Sequence, residues 1–404
     1  MVNISRAADS NCARRSSLGN LPLSLLIERI LMAELPHMKA LVAPGRKLTN
    51  DELARYSRHL LIPDIDEVGQ ARLLNARVLC IGAGGLGSPT ILYLAAAGIG
   101  TIGILDYDKV ELSNLQRQII HTEADIGKSK VESAATKARA LNPFVNLNLY
   151  EERLSEQNAL EIFKDYDLII DGTDNFATRY LINDAAAILG KPYIWGSIYR
   201  FDGQASVFWS QHGPCYRCVY PTPPAPGQVP SCAEGGVLGS LCGAIGTIQS
   251  TEAIKLITGI GEPLIGKILI HNALDNSYLK VEAQPSAKCP ICSGSQSSLL
   301  PSYEAFCGAI DQEALIGIDV ETLKQLFEAE EEVFLVDVRE PEEFATGAID
   351  KAQLMPVSQF VDGSAFKKLP KDKKIVLYCR SGIRSTNCLA IIQSAGFFNS
   401  THLA

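Results

Sequence analysis

The chain has 404 residues, enough for two or three domains. Apolar residues make up 47% and charged residues 20%, an ordinary globular composition. The formal charge of −8 excludes a general nucleic-acid binder, which would be basic. No apolar run reaches the roughly 18–20 residues of a membrane-spanning helix. Eleven cysteines, an odd number that includes two C-x-x-C pairs, fit metal or thiol chemistry in a reducing, cytoplasmic compartment better than a disulfide framework.

Residues 1–47 carry seven basic side chains against three acidic ones, and include the mostly apolar stretch Leu21–Leu35. Arg14-Arg15-Ser16-Ser17 is loosely transit-like, but Met32 and Met38 also precede the globular part. An N-terminal extension, partly disordered or helical, is expected. Thr49-Asn50-Asp51-Glu52 fits a capping box that opens a helix running to about Leu61, before Pro63. Arg77–Ile81 is a short apolar strand. Gly82-Ala83-Gly84-Gly85-Leu86-Gly87 follows, then a helical stretch Ser88–Ala97 and a second strand, Thr101–Leu105, ending at Asp106. That is a βαβ unit with a glycine-rich first turn.

Asp167–Ile170 and Pro192–Trp195 read as further parallel strands. Gln204–Trp209 and Lys267–His271 alternate better and read as an antiparallel extension. Ser293–Leu315, rich in serine, is the expected linker. Beyond it, Val333–Asp337 and Lys374–Tyr378 read as strands of a second, smaller α/β domain over residues 316–404.

In Gly82-x-Gly84-x-x-Gly87 the missing side chains let a phosphate approach the backbone, and the helix starting at Ser88 favours negative charge. Asp106 stands where a ribose-binding carboxylate is expected. Alone, this reads as an NAD- or FAD-dependent oxidoreductase as easily as anything else. The polar block Ser113-Asn114-Leu115-Gln116-Arg117-Gln118, then Lys130 and Asp171-Gly172-Thr173-Asp174-Asn175, shifts the reading. Two cations and a carboxylate around a glycine turn suit ATP with Mg²⁺, Arg117 and Lys130 neutralising phosphates and Asp174 offering a hard oxygen ligand.

Arg55-Tyr56-Ser57-Arg58, the Gly82–Gly87 turn, Ser113–Arg117, Lys130 and Thr173-Asp174-Asn175 together resemble the MoeB/ThiF branch of the ubiquitin-activating enzyme family, from about Leu48 to Cys292. The resemblance implies a Rossmann-like adenylation domain with a mixed sheet over residues 48–292, in which the C-terminal Gly-Gly carboxylate of a ubiquitin-like sulfur carrier is adenylylated. It implies that Asp106 binds ribose, that Gly82, Gly84, Gly85 and Gly87 form the phosphate turn, and that Asn114, Arg117 and Lys130 bind phosphates. It also implies that Asp174 organises Mg²⁺, that Asn175 belongs to the cofactor-binding set, and that Arg58 reaches into the site of the other subunit of a homodimer.

Cys215-x-x-Cys218 and Cys289-x-x-Cys292 supply four thiolates in two knuckles, a set that suits a closed, structural Zn²⁺ site. Cys232 follows the proline-rich stretch Pro221–Pro230 and is a candidate reactive thiol in a loop. Cys80 and Cys242 read as core.

Cys379-Arg380-Ser381-Gly382-Ile383-Arg384-Ser385 follows a strand and opens a helix. Its amides and Arg380 and Arg384 are expected to lower the thiol pKa and stabilise an anionic persulfide. With Val336-Asp337-Val338-Arg339-Glu340 and Glu343-Phe344 it resembles a rhodanese domain. A cysteine phosphatase loop needs five residues between Cys and Arg, and here four intervene. Ala348 and Lys351 stand where many rhodaneses carry His and Gly, and stopping at Ala404 implies a C-terminally truncated domain. A cysteine desulfurase is a plausible sulfur donor. The rival functional reading beside the oxidoreductase is a non-catalytic scaffold that binds a carrier.

Overall fold

The computed structural model describes residues 38–224, 236–307, 317–329, 332–361, 363–380, 382–395, 397 and 399–403. Cys232, and the expected extension up to residue 37, lie outside the described residues.

Eight strands form one sheet: β1 (Arg77–Ile81), β2 (Thr101–Leu105), β3 (Asn146–Tyr150), β4 (Leu168–Asp171), β5 (Tyr193–Tyr199), β6 (Asp202–Phe208), β7 (Lys267–Asn272) and β8 (Ser277–Glu282). Their spatial order is β3-β2-β1-β4-β5-β6-β7-β8. The first five are parallel, and β6 to β8 add antiparallel. β1 has β2 on one side and β4 on the other, so the order reverses there and leaves a crevice beyond the strands' carboxyl ends. β1 is Val-Leu-Cys-Ile after its first residue and buried on both faces, as a central parallel strand must be. Cys80 lies within it, its thiol pushed up to about 12 by burial; Cys242 is also fully buried.

The capping box is present, with the Glu52 carboxylate accepting from the Thr49 amide at 2.8 Å. The single helix expected to Leu61 is instead two short ones, Asn50–Arg55 and Ser57–Leu60. Tyr56 interrupts them because its side chain turns into the core. Its hydroxyl accepts from Asn142 Nδ2 at 2.9 Å, and its ring fills the space beside Gly98, where a Cβ would sit 2.5 Å from Tyr56 Cζ.

Leu299, Leu300, Tyr303, Phe306 and Cys307, from the expected linker, pack with the core of the large domain. Their anchor is a buried ion pair. Arg217 donates to Asp184 through two nitrogens, at 2.7 and 2.8 Å, with both side chains almost wholly excluded from solvent. The Tyr303 hydroxyl donates to Asp184 Oδ2 at 2.6 Å, and the Phe306 ring lies 4.4 Å from the Arg217 guanidinium carbon.

The second domain holds four parallel strands in the order β10 (Gln353–Leu354), β9 (Val333–Asp337), β11 (Lys374–Tyr378), β12 (Ser400–His402). Val336, Leu377, Leu389 and Ile392 are central in its own core.

Removing one member of a buried ion pair strands the other charge. Arg217→Met should therefore lower the stability of the large domain by about 3 kcal/mol. Both tryptophans, Trp195 and Trp209, belong to that domain, so urea denaturation followed by tryptophan fluorescence reads it directly.

Candidate functional site

The crevice at the switch point is lined by the ends of three parallel strands. Gly82, Gly84 and Gly85 follow β1, Asp106 and Asp108 follow β2, and Gly172, Thr173, Asp174 and Asn175 follow β4. The four turn glycines serve different ends. Gly82 has φ +90°, a left-handed conformation that favours glycine. A Cβ on Gly87 would stand 1.9 Å from the Gly82 carbonyl oxygen, so the helix Gly87–Ala97 packs onto the turn only with glycine there. A Cβ on Gly85 would be 2.9 Å from Cys242 Sγ. Gly84 is required by none of these, since its nearest protein neighbour, Gln118 Nε2, would be an ordinary 3.5 Å away. Glycine at 84 leaves the backbone bare toward the crevice, where a phosphate can reach it.

Asp106 is buried, and its oxygens accept from the Ala83 amide at 2.8 Å and the Asp108 amide at 2.9 Å. Burial raises its pKa, against the pull of Lys130 and of those amides. The carboxylate thus shapes the turn as well as facing the crevice. Lys130 begins the helix Lys130–Leu141; its buried ammonium pairs with Asp108 at 2.7 Å. Arg117 is held by donating to the Ser113 carbonyl at 3.0 Å. Asp171 is fully buried, with Oδ1 accepting from the Thr173 amide and hydroxyl, and so fixes the turn that presents Asp174. Asn175 caps the helix Phe176–Ile188, its side chain accepting from the Thr178 amide.

Arg117, Lys130, Asp174 and Asn175 therefore meet around the glycine turn. Gly87, Ser113, Asn114, Leu115 and Gln116 do not line the crevice. Asn114 is buried in its own turn, accepting from the Glu111 amide at 3.1 Å. Arg58 is exposed on the helix Ser57–Leu60 and does not line the crevice of its own chain either. The structure adds Asp108, Gln118, Arg153 and Arg179 to the lining. Gln118 closes the block Ser113–Gln118, and its polar neighbours were a usable signal. Arg179, on the first turn of the helix that follows Asp174, and Arg153, just beyond β3, carried none, because folding alone brings them here.

Cys215, Cys218, Cys289 and Cys292 converge with all four sulfurs within 4.8 Å of one another. The closest pairs are 3.5 Å apart for Cys215–Cys289 and Cys218–Cys292, and 3.8 Å for Cys215–Cys218. Four thiolates at zinc–sulfur distances of about 2.3 Å sit roughly 3.8 Å apart in a tetrahedron, so the donor set and its spacing fit zinc.

In the second domain Cys379 follows β11 directly. Its sulfur lies 3.5 Å from the Ser385 hydroxyl, at the N-terminal end of the helix Ile383–Ser394, with Gly382 at φ +78° turning the chain between them. The Arg384 guanidinium is not left to the thiol: it donates to both oxygens of Glu343, at 2.6 and 2.7 Å, and holds that carboxyl down to about 2. The ion pair offsets part of the positive charge expected to act on the thiol, while Cys379 stays within electrostatic reach of the guanidinium. Cys388 is buried on the same helix, its thiol pushed up to about 12 by burial.

A doubly wound sheet with a phosphate-ready turn ringed by cations defines a nucleotide-binding domain, here joined to a thiol-loop domain. Residues 56–291 match the ThiF family and residues 319–404 match the rhodanese-like domain; the chain belongs to the ThiF family. It is 52% identical over 372 residues to the probable adenylyltransferase/sulfurtransferase MoeZ of Mycobacterium tuberculosis, covering 90% of this chain and 94% of that one. It is 48% identical over 266 residues to the sulfur carrier protein adenylyltransferase of Thermus thermophilus, covering 64% of this chain and 98% of that relative. The adenylyltransferase and sulfurtransferase MOCS3 of Drosophila yakuba is 42% identical over 362 residues, with 85% and 80% covered. Among solved structures, E. coli MccB with ATP aligns with a TM-score of 0.52 at 22% identity, over 62% of this chain and 77% of that one, a likeness of fold.

The differing demands on the glycines are separable by substitution. Gly87→Ala should cost the large domain about 3 kcal/mol in urea denaturation, because the backbone must shift to admit the methyl group. Gly84→Ala should leave stability within about 0.5 kcal/mol of wild type and instead weaken ATP binding about tenfold, measured by titration calorimetry.

Proposed function

We propose that the chain adenylylates the C-terminal glycine of a ubiquitin-like sulfur carrier and then converts it to a thiocarboxylate with sulfur carried on Cys379. The observation that carries this reading is the crevice itself, with a turn bare at Gly84, Lys130, Arg117 and Asp174 also in its lining, and the Asp106 carboxylate bonded to the turn at the Ala83 amide. Arg153 and Arg179 also line the crevice, and together these cations suit a triphosphate.

The carrier carboxylate attacks the α-phosphorus of ATP, the bond to the β-phosphate oxygen breaks, and pyrophosphate leaves. The nucleophile is already an anion, so no base is needed, and placement with charge neutralisation supplies the acceleration. Lys130 and Arg117 receive the negative charge that shifts to the departing phosphates, and Asp106 orients the ribose. Asp174, helped by Asn175, is the residue that would hold Mg²⁺, which lends further positive charge to the phosphates when bound.

A persulfide on Cys379 then attacks the acyl carbon, and AMP leaves with the bonding pair of the broken acyl–phosphate bond. A second thiol attacks Cys379 Sγ. The sulfur–sulfur bond breaks, the thiocarboxylate departs, and Cys379 is left in a disulfide with that thiol, to be reduced by external thiol. Cys232 is the candidate for the second thiol, and a cysteine desulfurase is the candidate source of the sulfur. The exposed position of Arg58, away from its own crevice, supports a homodimer in which each chain completes its partner's site. The four cysteines of the two knuckles would hold a structural Zn²⁺. No described helix is long and apolar enough to cross a membrane.

Pyrophosphate exchange and product mass separate the two half-reactions. With a diglycine-tailed carrier, ATP and Mg²⁺, Lys130→Ala should lower exchange about 10²-fold. Cys379→Ala should leave exchange intact and abolish the replacement of carrier oxygen by sulfur when a persulfide donor is added. Carrier binding without any AMP formation would reduce the protein to a scaffold, and nicotinamide or flavin binding would make it an oxidoreductase. For the metal, elemental analysis of the purified chain should find zinc equimolar with protein; Cys218→Ser should lose it and lower the urea midpoint.

A further inference from the structure

The helix Lys130–Leu141 and the glycine turn come from separate parts of the sequence, and one buried imidazole joins them. His121 is 4% exposed and neither of its nitrogens is free. Nε2 lies 2.9 Å from the Ala83 carbonyl oxygen, and Nδ1 lies 2.8 Å from the Ser133 hydroxyl, which is 3% exposed. A carbonyl only accepts, so Nε2 carries the proton and Nδ1 accepts from Ser133. Burial lowers the pKa of the ring, which favours this neutral arrangement.

Ala83 is thereby held from both sides. Its amide donates to Asp106 Oδ2 at 2.8 Å, and its carbonyl accepts from His121. A trans peptide is planar, with its carbonyl and the following amide pointing in opposite directions. Drawing the Ala83 carbonyl toward His121 therefore turns the Gly84 N–H the other way. Gly84 lines the crevice, and its position is the one where protein packing does not demand glycine.

We propose that His121 is a positioning residue: it fixes the Ala83–Gly84 peptide so that the Gly84 amide is aimed at a nucleotide phosphate. Through Ser133, which lies one turn along the helix that starts at Lys130, the same ring ties the amide's position to that of the ammonium. The phosphates then meet a donor and a cation held in one rigid frame. The inference rests on the reading of this crevice as an ATP site.

The test is titration calorimetry on the full-length chain with two probes, Mg²⁺-ATP and adenosine. Wild type must bind ATP; if it binds neither probe, the nucleotide reading fails and not this inference alone. His121→Ala should weaken ATP about tenfold and leave adenosine unchanged, because only the phosphates meet the Gly84 amide. His121→Gln, whose amide N–H can still donate to Ala83, should recover most of the lost ATP affinity. Equal weakening of both probes, or unchanged ATP binding by a folded His121→Ala chain, overturns the proposal. Should His121→Ala fail to fold, Ser133→Ala decides. It keeps the ring but removes the partner that sets its tautomer, and should weaken ATP about threefold with adenosine unaffected; unchanged ATP binding there overturns the proposal as well.

Discussion

The site depends on one close approach: the helix Gly87–Ala97 sits so near the end of β1 that Gly87 has no room for a side chain against the Gly82 carbonyl. That contact shortens the turn between strand and helix and brings the helix N-terminus and the bare backbone at Gly84 to the same edge of the crevice. Backbone amides in such a turn act as donors whose direction is set by neighbouring peptides, so the groups that hold Ala83 matter as much as the glycines. Asp106 holds the amide and His121 the carbonyl.

Around this turn the protein keeps charges in unfavourable surroundings. Asp106 and Lys130 are both buried, and Asp171 is entirely shielded. Asp106 and Lys130 are tied by short bonds to backbone amides and to an opposite charge, respectively, whereas Asp171 is bonded through Oδ1 and its buried Oδ2 has no hydrogen-bond partner among the described residues; these bonds fix the geometry. A crevice whose donors and charges are already oriented has little left to reorganise when charge moves from one phosphate to the next.

The two domains place opposite demands on cysteine. In the large domain four thiols are gathered within a few ångströms of one another, an arrangement whose spacing fits a metal ion. In the small domain one thiol stands at the end of a central strand facing a helix N-terminus. Arg384 pairs with Glu343, so the positive charge expected to act on Cys379 is shared with a carboxylate.

Much of the site was written locally. The glycine turn, Asp106 at the next strand end, the Thr173-Asp174-Asn175 corner and the Cys379 loop each lie within a few residues of one another, and local stretches obey local rules of turn and cap. The two knuckles were legible as a pair because their spacing and chemistry match, although 74 residues separate Cys215 from Cys289. The helix break at Tyr56 was hidden, because its cause is a hydroxyl partner at Asn142 and a gap at Gly98, far along the chain. The docking of Tyr303 on Asp184 was hidden for the same reason, since serine-rich sequence around it reads as linker.

The sequence by itself determined the family, the two-domain order and most of the chemistry-bearing residues, because those reside in short motifs whose geometry follows from neighbouring residues. Tertiary structure alone decided which of them face one crevice. It left Gly87, Ser113, Asn114, Leu115 and Gln116 outside the lining, brought in Asp108, Gln118, Arg153 and Arg179, and set His121 beneath the turn. The physical reason is that strand order, not chain order, fixes which loops become neighbours at the switch point, and that order is set by burial of the whole sheet.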